Sequence, residues 1–255
     1  MRRLADPISL AAMGFALSLL VAWQFLADAH LISPIFFPPP LRALAVLQRR
    51  LADGSLWLPI AATSLRMIVG WLLASVIGVV LGAAIGTSRV ARELLDPTLE
   101  FIRPLPASAI IPVAILFLGL SNEMSVTVIA FGAIWPVLLA SVHGFSSVSL
   151  ELTNVSQVLG FGRWDFLRKI AFPSALPDIV AGLRVSLAVA LILAVVTEMQ
   201  SSLTGLGWEI FSAQRFYRSA DLYAGLVLLA VLGFIANHLI LLLERRMLRW
   251  RNLST

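Results

Sequence analysis

The 255-residue sequence contains no cysteine. Disulfide bonds, thiolate catalysis and cysteine-ligated metal sites are therefore excluded as explanations of its function. Charged residues are also scarce, at 13% of the chain against about 25% in an ordinary soluble domain. Hydrophobic residues make up 59% of the chain. Several apolar runs, each long enough to cross a bilayer, indicate a polytopic α-helical membrane protein.

Motifs of common catalytic and nucleotide-binding sites are missing as well. No Gly-x-x-x-x-Gly-Lys-Ser/Thr segment is present to hold ATP phosphates, and the glycine pairs at 160–162 and 205–207 lack the third glycine of a dinucleotide site. His30, His143 and His238 stand alone, without a His-Glu-x-x-His motif or a nucleophile–base pair. The sequence therefore predicts no catalytic residue, no metal site and no cofactor bound by this chain. Any energy source must lie in a partner.

Six apolar segments predict six transmembrane helices in one all-α domain that covers residues 1–255. Their predicted limits are 8–27, 59–86, 99–120, 124–145, 177–199 and 221–243. The first segment ends at Ala27-Asp28-Ala29, which imitates a signal-peptidase site. Its apolar run is longer than the roughly 7–15 residues of a signal peptide. A retained helix is therefore favoured over a cleaved signal.

Basic residues predict the orientation of these helices. Six spans put both termini on one side, and the segments on that side hold eleven basic residues: Arg2, Arg3, Arg89, Arg92, Arg163, Arg168, Lys169, Arg245, Arg246, Arg249 and Arg251. The other side holds five: Arg42, Arg49, Arg50, Arg215 and Arg218. Because basic residues are enriched in cytoplasmic segments, both termini are predicted to be cytoplasmic. This distribution also explains the net charge of +5 without nucleic-acid binding.

The segments between the spans differ in character. Residues 30–57 contain leucines that share one helical face (Leu41, Leu44, Leu47 and Leu51). This pattern favours an amphipathic helix at the membrane surface, with a plain solvated connector as the alternative. Residues 87–97 are predicted to be a short basic loop, 121–123 a tight turn and 200–220 a polar connector.

A stripe of small residues runs along the second predicted span. Its members recur every four residues: Gly70, Ala74, Gly78, Gly82 and Gly86. Such a stripe lets a second helix approach closely, backbone to backbone. Packing within the subunit is the favoured purpose, and a seam between two copies of the chain is the alternative.

Prolines and isolated charges mark the candidate translocation path. The third span is interrupted by Pro104, Pro106 and Pro112, and broken spans point to translocation paths in transporters. The path candidates are Arg103, Pro104, Pro106 and Glu198. For the charges within or beside spans (Arg66, Arg103, Arg184 and Glu198), we favour structural roles such as pairing or carbonyl capping over contact with a substrate.

Residues 154–177 form the longest polar stretch after residue 60. Apolar side chains recur there at helical spacing, namely Trp164, Leu167 and Ile170, with charged side chains between them. A helix from Gly160 to Pro173 would lie outside the membrane, and Pro173 is expected to end it. Its predicted apolar knob for a partner protein consists of Trp164, Phe166 and Leu167. The alternative is a surface helix that rests on the bilayer.

The spacing within this stretch resembles the cytoplasmic EAA loop of bacterial ABC importer permeases. In that loop Glu-Ala-Ala is followed after three residues by glycine, and later by two apolar residues and proline. Here Asn154-Val155-Ser156 takes the place of Glu-Ala-Ala, Gly160 is the glycine, and Ala171-Phe172-Pro173 closes the pattern. Asn154 departs from the family's glutamate, which weakens or removes a carboxylate contact to the ATPase.

Further stretches extend the resemblance over nearly the whole chain. Four stretches follow one another in the order that is typical of permeases of the nitrate, sulfonate and taurine importer group. They are SLRMIVGWLLASVIGVVLGAAIG, RPLPASAIIPVAILFLGL, the loop and TEMQSSLTGLGWEI. The resemblance implies a multi-pass protein of the bacterial inner membrane that imports a small anion. Its implied partners are a second permease copy, two ATPase subunits that hold Mg-ATP, and a periplasmic solute-binding protein. The implied coupling residues are Asn154, Gly160, Arg163, Trp164, Phe166, Leu167 and Pro173.

Three other functions are weighed against this one. The same scaffold could import an uncharged or cationic solute. An ion-driven secondary transporter would want inverted repeats and buried carboxylates, and would not need a cytoplasmic coupling helix. A polytopic membrane enzyme would need a cluster of His, Asp or Glu within the spans, and the sequence offers none.

Overall fold

The computed structural model describes residues 7–248, and over that range the chain is helical, with no strand. The all-α prediction is confirmed. The helices are α1 (Pro7–Asp28), α2 (Pro40–Ala52), α3 (Trp57–Gly86), α4 (Arg89–Ile102), α5 (Ile111–Leu118), α6 (Asn122–Ser146), α7 (Leu150–Val158), α8 (Arg163–Phe166), α9 (Phe172–Ser201), α10 (Leu206–Arg215) and α11 (Ser219–Met247). Four basic residues used in the orientation argument lie outside the described range: Arg2, Arg3, Arg249 and Arg251.

The small-residue stripe of α3 packs directly against α6. All five of its members are buried. A Cβ atom placed on Gly78 would lie 3.0 Å from the Cβ of Val137, and one placed on Gly86 would lie 2.7 Å from the Cβ of Phe145. Contacts advance in the same direction along both helices, so α3 and α6 run parallel. Glycine permits this closeness because it has no side chain to separate the backbones.

Helix α9 covers another side of α6 and runs antiparallel to it. A Cβ atom on Gly144 would meet the Cα of Ala175 at 3.0 Å near one end. At the other end the hydroxyls of Ser125 and Thr197 share a hydrogen bond of 2.6 Å. Between them, Ser186 donates to the carbonyl of Ala133. The three helices α3, α6 and α9 thus form the packed centre of the molecule.

Because α3 and α6 are parallel, the chain between them has to return across the core. It does so as a bent unit in which α4 and the helical segment Ala107–Leu118 meet at 77°. Four other helices are long and apolar enough to cross a membrane: α3, α6, α11, and Arg163–Ser201, which includes α9. The described part of the chain therefore holds up to five such spans, with Gly14–Asp28 of α1 as a shorter apolar helix. The count of six spans stays a prediction.

Two segments predicted to be irregular are helical. The predicted loop 87–97 begins α4, because Ser88 caps the helix by accepting a hydrogen bond from the Ala91 N–H. The polar connector 200–220 contains α10, whose Leu206 and Ile210 are buried. In both cases the polar composition hid a short helix from the sequence analysis. Packing on the core supports α10, whereas α4 has no buried residue and leaves Val90, Leu94 and Phe101 exposed.

Pro173 does not end the helix that precedes it, contrary to expectation. The chain is helical without interruption from Arg163 to Ser201, over 39 residues. Residues Leu167–Ala171 form a wider π-helical turn, in which the Phe172 N–H donates to the carbonyl of Leu167, five residues back. The wider turn makes room for the proline ring, which would clash with a carbonyl in a regular α-helix.

Replacing Gly86 by alanine tests the close contact between α3 and α6. The added methyl group would meet the Val142 carbonyl oxygen at 2.8 Å, and this backbone atom has little freedom to move. We expect Gly86→Ala to lower the free energy of unfolding by about 1–3 kcal/mol, the usual cost of overpacking. Denaturant unfolding of the purified protein in detergent measures it.

Gly14→Ala is the matched control, because nothing lies within 4 Å of a Cβ atom at Gly14 of α1. Equal stability of the two variants would contradict the close helix contact.

Candidate functional site

The coupling segment predicted at 154–177 forms a helical hairpin on the surface, and we define the transmission segment as residues 150–173. Helix α7 begins after Ser149, whose hydroxyl accepts from the Leu152 N–H. The chain then reverses at Gly160, which has a φ of +65° that favours glycine. Helix α8 starts at Arg163 and runs through the π-helical turn into α9. The hairpin is therefore joined to the core by one unbroken helix.

Large apolar side chains of the transmission segment are exposed. Trp164 is 72% exposed, and Val158 is 87% exposed. Other exposed apolar members are Leu150, Val155, Leu159 and Phe172. The predicted coupling residues Asn154, Gly160, Arg163 and Pro173 are exposed as well. An apolar surface of this kind, set among polar groups, is typical of a contact site for another protein.

The predicted knob divides into an outward and an inward part. Phe166 and Leu167 are half-buried and pack on the core cluster of Phe145, Ala171, Ala175 and Ile179. Of the three knob residues, Trp164 alone projects. Trp164 and Phe166 are two residues apart in the helical segment Arg163–Phe166, so they point to different sides, and the core covers Phe166 and Leu167.

Polar contacts stiffen the turn of the hairpin. The Lys169 ammonium lies 2.7 Å from the Asp165 carboxylate, one helical turn away. The same ammonium lies 4.8 Å from the centre of the Phe161 ring. Lys169 therefore ties the loop between α7 and α8 to the base of α9, although both side chains of its ion pair are about half exposed.

A buried ion pair lies at the other end of the core. Glu198 of α9 is completely buried, and Arg66 of α3 is 5% exposed. The Arg66 Nη2 and the Glu198 Oε1 are 2.7 Å apart. Arg66 also donates to the Asn122 Oδ1 of α6 at 2.8 Å and to the carbonyl of Thr204. A charge in a membrane core is tolerated when it is paired in this way.

The remaining acceptor capacity of Glu198 is also used. Its Oε2 accepts from the Thr63 hydroxyl at 3.0 Å and from the Gly207 N–H at 2.8 Å. The Thr63 hydroxyl oxygen in turn accepts from the Leu206 N–H at 2.9 Å. A Cβ atom at Gly207 would lie 2.9 Å from the Cβ of Glu198, so the turn before α10 approaches closely because that residue is glycine. The network joins α3, α6, α9 and α10.

The pairing of Arg66 with Glu198 was not predicted from the sequence, although structural roles were favoured for both. One feature of the sequence could have indicated the pair: both residues are isolated charges that are predicted to lie near the same side of the membrane. Arg103, Pro104 and Pro106 lie elsewhere, exposed at the bend between α4 and the Ala107–Leu118 segment. The contacts of Glu198 named above involve none of them. The assignment of these four residues to a translocation path stays a prediction.

The described residues form no cluster of three or more His, Asp or Glu side chains that could hold a metal ion. The geometry instead combines a bent apolar span, a charged network that links helices and an exposed hairpin continuous with the core. These features are those of a multi-pass helical membrane protein with an exposed apolar hairpin on one face.

Comparison with known proteins identifies the group. The family described as "Binding-protein-dependent transport system inner membrane component" matches residues 74–249. The chain belongs to this family. It is therefore a permease subunit of an ABC importer, and ATP hydrolysis takes place in a separate ATPase subunit.

Individual relatives resemble the chain over most of its length. The taurine transport system permease protein TauC of Escherichia coli is 31% identical, over 94% of this chain and 89% of the relative. SsuC of Bacillus subtilis, named for aliphatic sulfonates transport, is also 31% identical, over 92% and 85%. The nitrate import permease protein NrtB of Synechocystis is 30% identical, over 89% and 84%.

The fold has a counterpart among solved structures. A chain of the methionine ABC transporter MetNI, in an inward facing conformation, matches with a TM-score of 0.67 at 18% identity. The match covers 76% of this chain and 98% of that one. At this identity the comparison supports the fold alone.

Glu198→Ala tests the buried ion pair. The substitution leaves the Arg66 guanidinium buried without its counter-ion, so we expect the free energy of unfolding to fall by about 3–5 kcal/mol. The double variant Arg66→Met with Glu198→Met leaves no lone charge and should recover at least half of that loss. Denaturant unfolding in detergent measures both variants.

Arg89→Ala is the control, because the pair of Arg89 with Glu93 is exposed and should contribute little. A double variant no more stable than Glu198→Ala would contradict the pairing argument.

Proposed function

We propose that the chain forms the translocation pathway for a small anion such as a sulfonate, taurine or nitrate. The proposal is supported by TauC, SsuC and NrtB, which are named for transport of taurine, aliphatic sulfonates and nitrate and resemble the chain over most of its length. The working complex is a homodimer of this permease with two ATPase subunits that bind Mg-ATP and a periplasmic solute-binding protein. It lies in the bacterial inner membrane.

The chain crosses the membrane six times, with both termini in the cytoplasm. The excess of basic residues on the side of the termini supports this orientation. The parallel course of α3 and α6 supports this topology as well. Two parallel spans need one crossing in the opposite direction between them, and the bent unit provides that crossing. In this orientation the transmission segment is cytoplasmic and the Arg66–Glu198 network lies near the periplasmic surface.

The single observation that carries the mechanism is the continuity of the helix from Arg163 to Ser201. Its first turns belong to the exposed hairpin and its last residues hold Glu198. Closure of the ATPase dimer on ATP would displace the hairpin, and an unbroken helix would pass that displacement to the opposite end. The ion pair would then move α3 together with α9.

Trp164→Ala tests the docking of the hairpin on the ATPase. Trp164 is the large exposed side chain of the knob, so its removal takes away the main apolar contact. We expect about 30-fold weaker assembly with the ATPase, corresponding to about 2 kcal/mol for an interface aromatic. Solute-stimulated ATP hydrolysis should fall in parallel. Both are measured with the complex in proteoliposomes.

Phe234→Ala is the matched control, since Phe234 is 70% exposed on α11 but lies outside the transmission segment. Unchanged assembly and hydrolysis in Trp164→Ala would refute the docking model.

The orientation can be tested by labelling, because the chain has no cysteine of its own. A membrane-impermeant thiol reagent added to intact cells should leave Trp164→Cys unlabelled. It should label Gln214→Cys, which lies on α10 at the opposite end of the core. Labelling of Trp164→Cys in sealed cells would reverse the assigned orientation, and opened membranes provide the positive control.

A further inference from the structure

A cavity of about 680 Å³ lies between α2, the segment 34–38 and the start of α11. Its size is that of a site for a small organic group. Polar and apolar atoms share its wall about equally, so polar groups reach the space itself. None of the residues of the Arg66–Glu198 network or of the transmission segment lines it.

Three arginines give this cavity an excess of positive charge. Arg42 and Arg49 belong to α2, and Arg218 precedes α11. Among residues 7–248, none of the three forms an ion pair with a carboxylate. Asp221 also lines the cavity, but it lies 3.7 Å from the guanidinium of Arg50 and offsets that charge. A single exposed arginine needs no ligand, whereas three around one cavity repel one another until an anion enters it.

The register of α2 directs two of these arginines to the cavity. Arg42, Ala45, Val46 and Arg49 all line it, and this spacing is that of one helical face. The two arginines stand about 10 Å apart along the axis at ~1.5 Å of rise per residue. On the opposite wall, the Ser219 hydroxyl donates to the carbonyl of Ile35, which ties the start of α11 to the segment 34–38.

Apolar side chains next to the cavity are exposed. Phe36 is 61% exposed and Leu41 is 65% exposed, and Ile35, Phe37 and Leu44 are exposed as well. Helix α11 begins at the cavity, and only 6% of its most apolar stretch is buried, against 33–44% in the other three long apolar helices. The cavity therefore opens where a polar surface meets an uncovered apolar one, as at a membrane interface.

This combination favours a phospholipid over a soluble protein as the occupant. An acidic protein surface would complement the arginines but not the exposed apolar side chains beside them. A phospholipid complements both, because its phosphate is acidic and its acyl chains are apolar. The uncovered side of α11 provides a continuous apolar surface for those chains.

We propose that this cavity, the α2–α11 cavity, binds the headgroup of an anionic phospholipid whose acyl chains lie along α11. Guanidinium groups pair well with phosphate oxygens. Basic pockets between membrane helices hold anionic headgroups in the same way. The bound lipid would brace α2 against α11, since Arg42 and Arg49 lie on one side of it and Arg218 on the other.

Lipid binding by the purified full-length chain tests the proposal. Native mass spectrometry in a neutral detergent counts the bound lipid molecules during a titration. Phosphatidylglycerol, which has a net negative charge, is compared with zwitterionic phosphatidylcholine of the same acyl chains. We expect the first phosphatidylglycerol to bind about tenfold more tightly, because three arginines attract its net charge.

Single substitutions assign the preference to the cavity. Arg42→Gln, Arg49→Gln and Arg218→Gln should each weaken the binding of phosphatidylglycerol about fivefold, the usual contribution of one basic residue at an anionic membrane surface. The binding of phosphatidylcholine should not change. Arg215→Gln is the matched control, because Arg215 is also exposed on this side of the molecule but does not line the cavity.

A soluble anion distinguishes the lipid from a free phosphate compound. Glycerol phosphate carries the same type of acidic group without acyl chains. At the concentration of the lipid it should not displace phosphatidylglycerol, because it gains nothing from the apolar surface of α11.

Three results would overturn the proposal. Equal binding of the two lipids, or a preference that survives all three substitutions, would show that the arginines do not hold a headgroup. Displacement by glycerol phosphate would make the cavity a site for soluble anions. Substitutions that weaken capture of the solute-binding protein but not of lipid would make it a protein-docking surface. The test with Trp164→Ala does not involve this cavity, so this inference and the proposed function fail separately.

Discussion

Close contact between helices α3, α6 and α9 is the constraint on which the rest of the structure depends. Lipid chains are as apolar as leucine, so helices in a membrane gain little by hiding apolar side chains from it. Their association requires close packing of backbones and hydrogen bonds between them. The glycines of α3, together with Gly144 of α6 and Gly182 of α9, provide that approach. The hydrogen bonds of Ser186 and Ser125 fix the alignment of α9 against α6.

The same contact bears on the proposed coupling between the two ends of the molecule. With α6 held tightly between two neighbours, α9 cannot bend freely within the core. The π-helical turn at Leu167–Ala171 lies outside this contact, between the core and the hairpin. The Arg66–Glu198 network closes the opposite end, where it connects the three central helices and α10. The molecule therefore combines a closely packed centre with an exposed hairpin, an arrangement that fits the proposed coupling to a motor in a separate subunit.

Two arginines within membrane spans have opposite surroundings. Arg66 is enclosed and finds four protein acceptor contacts, so it contributes to architecture. Arg184 is exposed, and its Nε donates to one amide oxygen, that of Asn237. The counter-charge of the buried Arg66 is therefore supplied by the chain itself.

The sequence by itself determined the class of the molecule, because composition and the length of apolar runs are local properties. The all-α membrane character and the four-residue period of Gly70 to Gly86 could both be predicted directly, whereas the chain reversal at Gly160 was not, since a helix was predicted to begin there. What only the tertiary structure decided depends on partners far along the chain. The Arg66–Glu198 pair joins residues 132 positions apart, and the inward turn of Phe166 depends on a cluster that includes Phe145. The passage of the helix through Pro173 likewise depends on a local widening that composition does not encode. Periodicity reveals which face of a helix is apolar or small, but the partner that covers that face is set by packing in three dimensions.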